Sequence, residues 1–117
     1  MDGRPGSAPL GRVVLVTAPG RDVALDLARA LVRERLVACV NVVPGVTSVY
    51  QWEGAVEESE EVLLVVKTTA GRLAELERRV IELHPYDVPE FVALAPEHVE
   101  PRYARWLSDE SSQVPPA

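Results

Sequence analysis

Apolar positions along the chain alternate between two periods. Residues 12–17 form a continuous β-branched run closed by Pro19-Gly20, the pattern of a buried strand followed by a turn. Over 22–36 the period lengthens. Ala24, Leu27, Ala28 and Leu31 recur at helical spacing while Asp26, Arg29, Arg33 and Glu34 occupy other faces, which predicts an amphipathic helix. Strand chemistry resumes over 38–43, is interrupted by Pro44-Gly45, and continues over 46–52. Proline cannot donate to a sheet ladder, so the Pro-Gly pair predicts a bulge or kink. Glu53-Gly54-Ala55 supplies a turn, and 56–69 returns along the same length. The arms form one long hairpin, about 39–69. At ~3.3 Å per residue each arm reaches about 40 Å, twice a typical strand, so the tip has to protrude.

Residues 72–84 place Leu73, Leu76, Val80 and Leu83 on one helical face and stop at Pro85. A last strand is predicted over 90–95 and a short helix over 102–107, packing Tyr103 and Trp106. The order βαββαβ predicts an α+β fold: a ferredoxin-like sandwich with an extended hairpin between its second and third strands and a short C-terminal helix. In that arrangement both main helices cover one sheet face. Yet 13–16, 62–66 and 91–94 are continuously apolar where half-exposed strands would alternate. The second face therefore needs a cover, and a second copy of the chain is the simplest one, which predicts a homo-oligomer.

Composition narrows the setting. A chain of 117 residues with 47% hydrophobic and 26% charged residues is sized and balanced for one folded domain. We expect it over 12–107, with a flexible leader over 1–11 and a flexible tail over 108–117. The net charge of -6 opposes nucleic acid and acidic membrane surfaces as partners. Cys39 is the one cysteine, so no internal disulfide forms, and no apolar run suits a signal peptide or membrane span; a cytoplasmic location follows as the expectation.

Three ordered stretches carry a resemblance: Ala38-Cys-Val-Asn-Val-Val-Pro-Gly-Val-Thr-Ser-Val-Tyr-Gln-Trp-Glu-Gly54, Val66-Lys-Thr-Thr69 and His84-Pro-Tyr-Asp-Val-Pro-Glu90. With Tyr103 and Trp106 as a closing aromatic pair, the chain resembles the CutA divalent-cation-tolerance family over about 13–107. The resemblance implies a ferredoxin-like subunit in a tight homotrimer, cytoplasmic in bacteria and linked to tolerance of copper and other divalent metals, with no established reaction. Family members that bind copper use a cysteine in the first strand, where this chain has Val16, and a His-His pair before Pro-Tyr, where it has Leu83-His84. Of that set only His84 carries over.

Several residues have candidate chemistry. His84 ends a helix and Glu90 follows in the same loop, so the two can share a divalent cation such as copper; the alternative is that His84 caps the helix carbonyls. Lys67 and Tyr86, placed with His84 and Glu90, would make a cleft for a small anionic ligand. Cys39 reads as a small buried apolar residue, though a trimer brings together three copies of it and of His98. Glu57, Glu58, Glu60 and Glu61 read as a solvated strand edge that can loosely attract cations. Tyr50 and Trp52 share a face by period two and suit either packing between subunits or a ligand. No Gly-rich phosphate loop, His-Glu metal motif or recognisable nucleophile is present, which points away from an enzyme. The resulting expectation is a non-enzymatic trimer that holds metal ions weakly at subunit boundaries and requires no cofactor. Its alternative is a regulatory trimer sensing a small molecule or nucleotide in the cleft between subunits.

Overall fold

A computed structural model describes residues 10–113. In chain order the elements are β1 (Gly11–Ala18), α1 (Arg21–Arg33), β2 (Cys39–Trp52), β3 (Ala55–Thr69), α2 (Leu73–Leu83), β4 (Val92–Leu94) and α3 (Pro101–Glu110), with a 3-10 turn at Ala70–Arg72 leading into α2. The strands form one sheet in the order β2-β3-β1-β4, every neighbouring pair antiparallel. β3 thus splits the β1-α1-β2 unit, as the ferredoxin-like arrangement requires.

Alternation along the strands sorts the two faces. Val14, Val16, Ala18, Val62, Leu64 and Val66 are buried against Ala24, Leu27, Leu31, Leu76 and Val80 of the two helices. The other face carries Val13, Leu15, Leu63 and Val65, half buried, with Val43, Val92 and Leu94 exposed. It is an apolar face that α1 and α2 leave open.

The hairpin turns at Glu53-Gly54, where φ is 50° and 82°, matching a two-residue turn with both central residues left-handed. Arms of 14 and 15 residues give the molecule a long axis of 51 Å against 29 and 23 Å across. The expected interruption at Pro44-Gly45 is a bulge: Val43 pairs with Leu63 and Val46 with Glu61, so two residues of β2 oppose Val62 alone.

The described chain extends past the boundary expected at 107. Residues 1–9 and 114–117 lie outside the described residues, but Gly11 already belongs to β1, α3 continues to Glu110, and Ser111 is buried. The cause is Arg35. It occupies the left-handed residue after α1, where Arg35 N–H donates to the Val32 carbonyl and Leu36 N–H to the Leu31 carbonyl, closing a Schellman cap. Glycine would accept that φ of 59° without strain, but the Arg35 side chain donates from Nε to the Ser112 carbonyl at 2.8 Å and from Nη2 to the Asp109 carbonyl at 2.6 Å. A cation at the C-terminal end of α3 also opposes the helix dipole.

Arg35→Gly should therefore leave α1 protected while amide hydrogen exchange across 108–112 speeds up by about tenfold or more, the loss of charge-assisted bonds outweighing the relief at φ. Unchanged exchange over 108–112 would show that this arginine does not hold α3.

Candidate functional site

The bulge decides which side chains meet. Before it, Cys39, Asn41 and Val43 lie opposite Lys67, Val65 and Leu63; after it, Val46, Ser48, Tyr50 and Trp52 lie opposite Glu61, Ser59, Glu57 and Ala55. The extra residue shifts parity by one, so Tyr50 and Trp52 come onto the open face with Glu57, Ser59 and Glu61. Thr17 lies on the same face, opposite Leu63 near the end of β1. Pro85 stops α2 beside that strand end, and the loop after it brings in Tyr86, Asp87, Val88, Pro89 and Glu90. Together these residues enclose a cleft of about 520 Å³.

Four carboxylates line the cleft, those of Glu57, Glu61, Asp87 and Glu90, and among the described residues no lysine, arginine or histidine does. The Tyr86 hydroxyl donates to Glu61 Oε2 at 2.7 Å, and the Tyr50 and Ser59 hydroxyls share a 2.6 Å hydrogen bond. Burial, then the hydrogen bond to Glu61 and its charge, push the Tyr86 phenol up to about 12. Glu90 also lies above the usual carboxylate range, through burial first and the nearby Glu61 charge second, against an opposing hydrogen bond from Thr17. A second depression, about 420 Å³, lies over α1 and α2, but there Arg79 meets Glu34 in a bidentate pair and Arg72 meets Glu75, so its charges compensate one another. The cleft beside Thr17 is where negative charge is left unpaired by the walls around it.

His84 is placed differently from a ligand. It is buried, its Nδ1 accepts from the Tyr86 N–H at 3.1 Å, and its Nε2 therefore carries the proton and donates to the Thr17 carbonyl at 2.7 Å. Both nitrogens are engaged. His84 thus reaches the end of β1 at the Thr17 carbonyl, and Glu90 lines the cleft with Thr17. Val16, where copper-binding relatives were expected to carry cysteine, is fully buried in the core. Among the described residues no group of three or more His, Cys, Asp or Glu is placed to hold a metal ion.

The expected grouping of Lys67 with Tyr86 is not formed. Lys67 pairs across the sheet with Val13 and Cys39, donates to Asn41 Oδ1, and lines a separate depression with His98 and Tyr103. The reason is direction: α2 begins just after β3 ends and runs back for 11 residues, about 16 Å, which carries the loop after it away from Lys67. Sequence reasoning also passed over Thr17 and took Glu57 and Glu61 for a solvated edge. The signal that could have found them was the parity change at Pro44-Gly45.

Comparison with known proteins adds the lineage of this scaffold. The family model described as CutA1 divalent ion tolerance protein matches residues 12–110. The divalent-cation tolerance protein CutA of Thermus thermophilus is 53% identical over 97 residues, covering 83% of this chain and 94% of that protein. Protein CutA of Mus musculus is 41% identical over 110 residues, 94% of this chain but 60% of that longer protein. Among solved structures, the divalent cation tolerance protein from Thermus thermophilus superposes with a TM-score of 0.85 at 50% identity, covering 87% of this chain and 99% of that one. CutA1 from Oryza sativa superposes with a TM-score of 0.87 at 39% identity, covering 92% and 99%.

The Tyr86 environment makes a pH prediction. Its folded pKa exceeds the ordinary ~10, so the neutral phenol's contribution to stability is intact below pH ~10 and is lost as pH rises through about 12. Spectrophotometric titration should find one tyrosine ionising near 12, and Glu61→Gln should bring it part of the way down, burial being the larger cause. A Tyr86 titration untouched by Glu61→Gln would rule out the contact.

Proposed function

Because the chain belongs to the CutA1 divalent ion tolerance family, we propose that it serves tolerance of divalent cations, copper included, as a non-enzymatic cytoplasmic homotrimer that holds the ions weakly at its subunit boundaries. The observation that carries this reading is the cleft beside Thr17, lined among the described residues by four carboxylates and no basic side chain. Carboxylate oxygens can ligate divalent cations, and a cation beside Glu90 would offset the burial and the Glu61 charge that raise its pKa. One subunit does not gather three such donors among its described residues, so a boundary where a neighbour adds its own is the reading consistent with weak binding.

Assembly is supported by what the subunit leaves in water. Val43, Val92 and Leu94 on the open face and Val49, Trp52 and Val56 near the hairpin tip are all exposed. Covering such a surface with further copies of the chain removes an aggregation hazard and gives the protruding hairpin neighbours to wrap. The cytoplasmic assignment rests on Cys39 being the one cysteine of the chain. A small anionic metabolite or nucleotide is disfavoured in this cleft, because Lys67 lies elsewhere and the walls are acidic.

Two measurements test the proposal. Sedimentation of the untagged chain at micromolar concentration should give a single species of three subunits, and a stable folded monomer would overturn the assembly. Titration calorimetry with copper, zinc and cadmium chlorides should give saturable binding with Kd on the order of 10⁻⁴ M, weakened about tenfold in Glu61→Gln. No heat with any of the three would remove direct cation binding.

A further inference from the structure

We propose that each copy of the chain sets the Lys67 end of its open sheet face against the acidic end of a neighbour's, so that Lys67 enters the boundary lined by the neighbour's Glu57, Glu61, Asp87 and Glu90. This rests on the trimer reading and deepens it by naming the surfaces that meet. A ring of three has no two-fold axis, so every contact in it joins two different surfaces of the chain. The open face offers two that differ in charge. At the Thr17 end of β1 stand the four carboxylates; at the Gly11 end, six residues away and about 20 Å along the strand, Arg12, Lys67 and His98 line a depression of about 380 Å³. Val13, Leu15, Leu63 and Val65 fill the stretch between, apolar and half buried.

Lys67 is the one lysine of the chain, and among the described residues no carboxylate pairs with it. Its Nζ donates instead to Asn41 Oδ1 on β2, which keeps the ammonium over the open face. Glu100, the one carboxylate among the described residues lining that depression, is engaged in capping α3, where it accepts from the Arg102 and Tyr103 amides and from Arg102 Nε at 3.0 Å each. An ammonium without a carboxylate and carboxylates without a basic partner, set at opposite ends of one apolar face, complement each other across a boundary between copies, and the apolar stretch that excludes water there strengthens the pair. The charges also fix the order of the ring, since two acidic ends brought together repel. Four carboxylates against one ammonium leave the boundary acidic, so a divalent cation still finds oxygen donors in it.

The single lysine makes the pairing testable by zero-length cross-linking. A water-soluble carbodiimide joins an amine to a carboxylate where the two are in contact, and within one subunit Lys67 and Glu61 stand six residues apart on β3, about 20 Å. The untagged full chain at micromolar concentration should give bands of two and three subunits in denaturing electrophoresis, with peptides joining Lys67 to Glu57, Glu61, Asp87 or Glu90, and Lys67→Gln should remove those bands. In sedimentation, Lys67→Gln should raise the concentration at which the trimer half dissociates by about tenfold. Should that variant fail to fold, the cross-linked peptides of the unaltered chain still decide. A sedimenting trimer whose Lys67 joins none of the four carboxylates defeats this inference alone and leaves the assembly standing, whereas a stable folded monomer defeats both.

Discussion

The pairing of two residues of β2 against one of β3 at Pro44-Gly45 is the constraint on which the rest depends. A strand presents alternate side chains to alternate faces, so one inserted residue reverses every assignment beyond it. Gly45 accepts the left-handed φ of 80° at that point, and Pro44 has no ladder hydrogen bond to lose. Below the bulge, Val40 and Val42 pack against the helix-covered core; above it, Tyr50 and Trp52 turn to the opposite face with Glu57 and Glu61. An unbulged hairpin of the same sequence would put the aromatic residues and these carboxylates on different sides, and no cleft would form.

The end of β1 supplies the second half of the site. Thr17 lies where the hairpin face meets the loop after α2, and it is held there by the His84 imidazole at its carbonyl. His84 thus acts as a buried strut between the end of β1 and the loop carrying Tyr86 to Glu90. The carboxylates of Glu57, Glu61, Asp87 and Glu90 collect around it, and among the described residues they form no preformed chelate.

Most of the fold was legible in the sequence because its periods are unambiguous: β-branched runs around Val14 and Leu64, helical spacing from Ala24 to Leu31 and from Leu76 to Val80, and Pro-Gly and Glu-Gly punctuation in the hairpin. What could not be read depends on contacts between distant parts of the chain. Lys67 and Tyr86 are near in sequence, yet a helix that runs back along the sheet separates them. The ordered stretch beyond Leu107 follows from Arg35, more than seventy positions away, whose role is invisible to local pattern. Glu57 and Glu61 resemble any charged strand edge until the bulge fixes which face they share with Tyr50. The resemblance pointed to His84 as a metal ligand, whereas both of its ring nitrogens are already hydrogen-bonded within the subunit.

The central claim is that hairpin and loop carboxylates form one cation-attracting cleft. Paramagnetic line broadening by manganese(II) in an amide-resolved NMR spectrum tests it most directly. Broadening that begins together at the amides of 57–61 and 86–90 at low manganese, ahead of the acidic positions on α2 and α3, is the predicted result. Broadening that rises evenly over Glu75, Glu82, Glu100 and Glu110 as over Glu61 and Glu90 would contradict it.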